Sequence, residues 1–268
     1  MALGLASGIL PWADVAAPWL YAAALIFARI VTCLSLIPDF GMGTVPGRIR
    51  LILAVTITVA LDAALGVVYV PLPEAPSVML IAFAREVVIG AGLGLAVRLI
   101  HATCQVAGDL VGLSMGLSLN TLFDPTAGEM PLATGRLFGL IASLLFFVLG
   151  GHLLVVLVLY EHFAQFPVGA ETFLLPSVEA IAQAGSRLIA SAVLLAAPVI
   201  VVALMINASL GFIMRVVPSV NIFGIGLGLL MIGGFVALAF QGDALMLFVD
   251  REVEELPERM FELTGARP

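Results

Sequence analysis

The chain contains no lysine, and charge of any kind is scarce: Asp, Glu, Lys and Arg make up 11% of its 268 residues. All eleven basic residues are arginines, set against eighteen acids for a formal net charge of −7. Seven of those acids lie from Asp243 onward, with only Arg251, Arg259 and Arg267 beside them. So few cations cannot build a basic face, which excludes a nucleic-acid binder. Cys33 and Cys104 stand apart from each other and from any histidine cluster, so neither a disulfide framework nor a thiolate metal site is indicated. His101, His152 and His162 fall on separate segments at no ligand spacing and read as structural or interfacial. No metal and no cofactor is expected. Ser/His/Asp, Cys/His and paired-carboxylate constellations are missing, which leaves catalysis without candidate residues. GLGLAV (92–97) and GIGLGL (224–229) are not nucleotide loops, because no strand, Lys or downstream acid accompanies them. The amino terminus has no basic n-region and is interrupted by Pro11, Asp14 and Pro18, unlike a signal peptide.

What fills the chain instead is apolar surface. It is 62% hydrophobic with a mean hydropathy of +1.20, more than one soluble core of this size can bury. The class is an integral, all-α membrane protein. Runs at 18–37, 49–70, 78–107, 132–160, 180–214 and 222–249 are each long enough to span a bilayer, which takes about 20 residues. Six long apolar helices are therefore expected, separated by Pro38 to Gly47, PLPEAPS (71–77), a central stretch, FPVGAETFLLPS (166–177) and Val217 to Asn221. Residues 245–263 carry apolar positions at helical spacing opposite Glu, predicting a short amphipathic helix broken or kinked at Pro257. Gly90–Gly94 and Gly224–Gly228 are GxxxG pairs, the usual mark of close helix packing. The odd-numbered connections hold the arginines, so the positive-inside rule turns them to the cytoplasm and both termini outward.

Several charges interrupt the apolar runs: Arg29, Asp62, Arg85, Glu86 and Arg98, with Asp109 at the end of the third. An ionised group at a bilayer centre costs about 2.5–3.5 kcal/mol on the lenient insertion scale. Three resolutions are open. The charges pair within this chain, they face other subunits, or these helices do not sit in lipid. A buried structural pairing and a direct transport role are both compatible with the residues.

Gly108 to Pro131, GDLVGLSMGLSLNTLFDPTAGEMP, is the stretch around which the rest is arranged. Gly108, Gly112, Gly116 and Gly128 permit tight or left-handed backbone, while Pro125 and Pro131 forbid helix continuation. Leu113, Met115, Leu117, Leu119, Leu122 and Phe123 are not side chains of a solvated loop. Ser114, Ser118, Asn120 and Thr121 can bond to freed backbone groups. Irregular backbone in such a protein is tolerated only where protein buries it or it lines a cavity, so this stretch is expected to line or block a passage.

Four segments, in order, resemble the FliR family of flagellar export-gate proteins. They are VPGRIRLILAVTITVAL (45–61), GLSMGLSLNTLFDP (112–125), GGHLLVV (150–156) and INASLGFIMRVVPSVNIFGIGLGL (206–229). Injectisome export proteins are the sister branch; 45–61 looks more flagellar. The resemblance implies one integral-membrane gate domain over 1–268. FliP-like helices would occupy about 1–175, a FliQ-like hairpin about 176–250, and an acidic tail 251–268. It implies kinked hairpins stacked partly above the membrane plane, with Arg29, Asp62 and Glu86 facing neighbouring subunits. It implies a non-enzymatic subunit of the bacterial inner membrane and flagellar basal body. Its partners would be FliP-like and FliQ-like subunits, a FlhB-like switch protein and unfolded exported proteins.

The family's plug falls by position on Gly112, Ser114, Met115, Gly116, Leu117, Leu119, Asn120, Leu122, Phe123, Asp124 and Pro125. Family members often carry aromatics where this chain has Leu119 and Leu122. Asn207, Gly211, Arg215, Pro218 and Asn221 fall on a cytoplasm-facing hairpin turn, where Arg215 and Asn221 are either partner contacts or part of a simple helix stop. The alternative from another class is a self-contained secondary transporter with Asp62, Arg85 and Glu86 as its relay.

Overall fold

The computed structural model describes residues 13–41, 45–117, 133–169, 178–216 and 222–265, and among them every regular element is an α-helix. In chain order these are α1 (Ala13–Leu36), α2 (Gly47–Ala64), α3 (Pro76–Ser114), α4 (Ala133–Val148), α5 (Gly151–Gln165), α6 (Val178–Val216), α7 (Ile222–Ala239), α8 (Gly242–Glu254) and α9 (Leu256–Thr264). The helices follow the apolar runs because a backbone in a greasy setting must bond to itself, and a helix does so locally. They gather into two compact units. One comprises α1, α2, α3 up to Arg98, α5 from His152 and α9; the other comprises α3 from Leu99, α4, α6 from Ala182, α7 and α8.

Among the described residues three helices are long and apolar enough to cross a membrane: Ala16–Leu36, Pro76–Ser114 and Val178–Val216. Two bent pairs, α4 with α5 and α7 with α8, raise the number to five if each pair is one span. The expected six is not reached among the described residues. The run that drops out is α2, whose 18 residues hold Arg48, Arg50 and Asp62. The placement of both termini on one side rested on six crossings, so it no longer follows from the arginine pattern. The third run also extends further than expected. It continues through Gly108 and Gly112 to Ser114 instead of stopping near 107. At about 1.5 Å per residue, the 39 residues of α3 and of α6 each reach about 58 Å, roughly twice the hydrocarbon thickness of a bilayer.

Each elbow has a local cause. Between α4 and α5 the axes turn by 64°. Gly150 adopts φ +76°, a left-handed conformation that closes α4 through its N–H to the Phe147 carbonyl (3.1 Å). Gly151 is required for a different reason, because a Cβ there would strike the Phe146 ring. Between α7 and α8 the turn is 52°. Gln241 occupies that break and donates its side-chain amide to the Leu195 carbonyl of α6, in the turn before Pro198 where proline disturbs regular helix bonding. In the amphipathic tail the chain breaks at Glu255, with Pro257 in the first turn of α9, where a missing N–H costs nothing.

The core of the first unit is held by close approach. Cβ atoms added at Gly90 and Gly94 would collide with the backbones of Arg29 and Cys33, the second lying 2.5 Å from the Cys33 carbonyl oxygen. The two glycines sit one helical turn apart in α3, as Arg29 and Cys33 do in α1, so one GxxxG face receives the other helix. Gly92 brings α3 close to α9, where an added Cβ would lie 2.9 Å from the Leu263 oxygen. The second GxxxG pair behaves otherwise. Gly224 and Gly228 have open space where a Cβ would go, so nothing among the described residues packs on that face.

Gly94→Leu is expected to destabilise the protein by about 1–3 kcal/mol, the usual cost of overpacking, because the obstacle is backbone that cannot swing aside. Gly224→Leu should cost much less. Thermal unfolding of both variants in the same detergent checks the contrast.

Candidate functional site

Arg29 is the centre of the first unit's interior. It is 1% exposed, and its partner Glu86 is fully buried. The Arg29 Nε–H donates to Glu86 Oε2 at 2.7 Å, and Arg85 Nη2 reaches the other carboxylate oxygen at 3.2 Å. Nη1 of Arg29 bonds His162 Nδ1 at 3.0 Å and the Phe166 carbonyl at 3.2 Å, and the guanidinium lies over the Phe163 ring, 4.2 Å from its centre. A guanidinium has no acceptor, so Nδ1 of His162 must be the accepting nitrogen and the proton sits on Nε2. That N–H then points at Thr264 Oγ1 (3.3 Å), whose own hydroxyl donates to the Phe261 carbonyl (2.8 Å). The imidazole also stacks on Phe261, with ring centres 5.5 Å apart and 24° between planes. One relay of hydrogen bonds thus joins α1, α3, α5 and α9.

Asp62 is a helix stop. Its backbone carbonyl accepts from Val67 N–H (2.9 Å), and its two carboxylate oxygens accept from Val68 N–H (3.0 Å) and the Trp19 indole N–H (2.8 Å). These bonds hold Val67 at φ +60°, a conformation a β-branched residue rarely takes. Beside Phe163 a half-open cavity of about 360 Å³ is walled by Ile26, Leu65, Val68 and Pro167, with Tyr160 at one side. No charged side chain lines it, and its polar contacts come from backbone and Tyr160.

The central stretch enters the described residues only at its start. Gly112 and Ser114 are helical, which corrects the reading of them as irregular backbone, and Met115 to Leu117 form the turn that follows. The Leu117 N–H bonds the Gly112 carbonyl (3.0 Å) and the Gly116 N–H bonds the Leu113 carbonyl (3.1 Å), with Gly116 at φ +77°. This crossed pair with a left-handed glycine is the Schellman stop. Of the four glycines read as flexible points, Gly116 is the helix terminator. Gly108 lies inside α3, and a Cβ on it would sit 2.5 Å from the Thr134 oxygen and 2.8 Å from Gly135 Cα of α4. Asp109 lies directly against Gly135. Met115 is fully buried, its side chain against Gly234 of α7. Leu119, Asn120, Leu122, Phe123, Asp124 and Pro125 lie outside the described residues.

Asn207, Gly211 and Arg215 do not form a hairpin turn. They lie in the last three turns of α6, all exposed. A glycine in a helix interior costs about 1 kcal/mol, which a 39-residue helix absorbs. Around them Leu204, Met205, Phe212, Ile213, Met214 and Val216 are exposed as well, Phe212 by 73% and Val216 by 79%. Pro218 and Asn221 lie outside the described residues. Arg98 is exposed on α3.

The model of the family described as bacterial export proteins, family 1, matches residues 20–256. The chain belongs to the FliR family of bacterial export proteins. The flagellar biosynthetic protein FliR of Pectobacterium carotovorum subsp. carotovorum is 31% identical over 237 residues, 88% of this chain and 88% of that protein. That of Escherichia coli K12 is 31% identical over 235 residues with the same coverage. That of Aquifex aeolicus VF5 is 30% identical over 214 residues, 80% of this chain and 82% of that protein. This FliR-family chain is accordingly a multi-span inner-membrane component of the flagellar export apparatus and not an enzyme.

His162, Thr264 and Phe163 were missed as members of the central network. The ring bonds residues 133 positions before it and 102 after it, and no local spacing encodes either. Gln241 likewise reaches back 46 residues. The one available signal was that a chain so poor in charge places Arg29 and Glu86 in separate apolar runs, each needing a counter-charge.

Glu86→Met should cost about 3–5 kcal/mol, because it strands a buried guanidinium. Arg29→Met combined with Glu86→Met should be more stable than Glu86→Met alone. A thermal-unfolding double-mutant cycle in detergent measures the coupling; purely additive losses would show that the pair is not a unit.

Proposed function

We propose that this chain is a non-enzymatic subunit of the flagellar type III export gate. In this reading it assembles with FliP-like and FliQ-like subunits into the membrane pore for unfolded flagellar proteins and contacts a FlhB-like switch protein. The observation that carries the reading is α6. It is about 58 Å long, and its last turns, which carry Leu204, Met205, Phe212, Ile213, Met214 and Val216, are exposed on nearly every side. A bilayer covers about 30 Å of hydrocarbon, so protein must cover much of the rest. The uncovered Gly224–Gly228 face of α7, flanked by exposed Ile225 and Leu229, supports the same conclusion, since small-residue faces bring helices together. The whole chain then acts as one gate domain. Residues about 1–175 play the FliP-like part, about 176–250 the FliQ-like hairpin, and 251–268 the tail.

The stretch after α3 is the plug. α3 ends on a rigid stop at Gly116, and beyond it come Leu117, Leu119, Leu122 and Phe123, an apolar sequence bounded by Asn120, Asp124 and Pro125. Such a segment fits a deformable seal: no charge lies between Leu117 and Phe123, and Met115 at its root adapts its shape easily. Bonds within the chain already engage Asp62, Arg85 and Glu86, which favours the gate over the transporter alternative.

Replacing residues 117–125 by a shorter Gly/Ser linker is expected to leave the complex assembled and to make it leaky. Co-purification with FliP-like and FliQ-like chains reports assembly, and ion flux into vesicles holding the complex reports the leak. Intact assembly with unchanged flux removes the plug; failure of the unaltered chain to co-purify with those partners removes the gate.

A further inference from the structure

The cavity beside Phe163 lies wholly within the first unit. At about 360 Å³ it matches small-ligand pockets, which begin near about 300 Å³. Ile26 of α1 and Phe163 of α5 are its buried lining, while the exposed Ala64, Tyr160 and Ala164 stand at its mouth. Its walls are fixed before any ligand arrives. Asp62 ties the turn after α2 to itself and to Trp19, and one of its bonds holds the N–H of Val68, which lines the cavity. Two residues on, the Val70 N–H bonds the Pro18 carbonyl (3.4 Å). The turn after α5 packs there too, for a Cβ added at Gly169 would lie 2.6 Å from Val70 Cγ1. We propose that this cavity receives one acyl chain of a membrane phospholipid, with the glycerol and head group resting at Trp19, Tyr69 and Tyr160.

Three observations point to a lipid. The first is a collar of amphipathic rings. The chain has two Trp and three Tyr; Trp12 lies outside the described residues, Tyr21 is buried, and the other three are exposed around this cavity. Trp19 donates to the same carboxylate that fixes Val68, Tyr69 is the next residue, and Tyr160 lines the cavity itself. Trp and Tyr collect where hydrocarbon meets head groups, because each joins an apolar ring to a polar tip. The second is the approach to the mouth. Leu153, Leu157, Tyr160 and Ala164 are all exposed at steps of four, three and four residues, so they share one face of α5 and lead into the cavity. That track is about 16 Å long at about 1.5 Å per residue, close to half the hydrocarbon thickness of a bilayer and so to the depth of one leaflet. The third is the lining. An acyl chain sets no polar group against Ile26 and Phe163, and its ester oxygens come level with the Tyr160 hydroxyl, which can donate to them. The inference rests on the inner-membrane placement and not on the gate reading.

Trp19 stands close enough to report on the occupant. The full-length chain carrying Trp12→Phe, which leaves Trp19 as its sole indole, is titrated in detergent with a phosphatidylethanolamine brominated along its acyl chains, a contact quencher of indole fluorescence. Quenching should saturate, with native mass spectrometry counting about one phospholipid per chain. Ala164→Phe puts a ring into the mouth from α5 and should weaken binding at least about tenfold. Ala64→Phe does the same from α2, so whichever of the two keeps the unaltered chain's thermal unfolding carries the test. Ile52→Phe, on the exposed face of α2 about 18 Å along the helix from Ala64, should leave binding unchanged. Quenching that rises without saturating would reduce the lipid to bulk surroundings and overturn the site. Saturable quenching that survives both filled variants would place the lipid elsewhere, and loss of a protein partner from those variants with lipid binding intact would give the cavity to protein. Equal affinity for a brominated free fatty acid would remove the phospholipid as the source.

Discussion

A guanidinium and a carboxylate paired out of reach of water set the terms for this chain. Removing Arg29 and Glu86 from solvent costs several kcal/mol each, recovered only when geometry is close and the remaining donors are met. The structure meets those conditions in full. Nε has Glu86, Nη1 has His162 and the Phe166 carbonyl, and the flat face of the group has Phe163. The glycines of α3 belong to the same solution. Without Gly90 and Gly94, α1 could not approach closely enough for a bond of 2.7 Å between the two helices. Packing and electrostatics are one constraint here, and α5 and α9 are arranged around it.

Much of this was legible in the chain before any coordinates. Composition alone assigned the helical membrane class, the Gly90–Gly94 pair announced close packing, and Pro257 announced a break in the tail. The charges at 29, 62 and 86 were recognisable as costly in lipid. What could not be read was which groups answer each other, because the bonds span tens to more than a hundred residues and hydrophobic periodicity is local. Asp62 shows the difficulty. In the apolar run it resembles an intramembrane charge, whereas its carboxylate is spent on the turn after α2 and on Trp19.

Glycine misled in a consistent way. By sequence Gly108, Gly112 and Gly211 read as breaks or turns, and all three lie inside long helices. A sequence does not separate a glycine needed for its backbone freedom from one needed for its lack of bulk. In α3 Gly90, Gly92, Gly94 and Gly108 are of the second kind, and Gly116 in the turn after it is of the first, in the left-handed region. The lengths of α3 and α6 follow from the same fact. Both pass through residues that usually end helices, because the surrounding apolar setting penalises an unbonded backbone more than it penalises glycine.

The elbow between α4 and α5 holds both kinds side by side. Gly150 is needed for its φ, with nothing within 4 Å of its missing Cβ, while Gly151 is needed because the Phe146 ring occupies that space. The two positions therefore have unlike mutational histories open to them. A side chain at 151 becomes admissible once residue 146 shrinks, so those two sites are free to drift as a coupled pair among relatives. Position 150 has no such accomplice, and only a residue at ease in left-handed backbone, asparagine before others, can stand in for it.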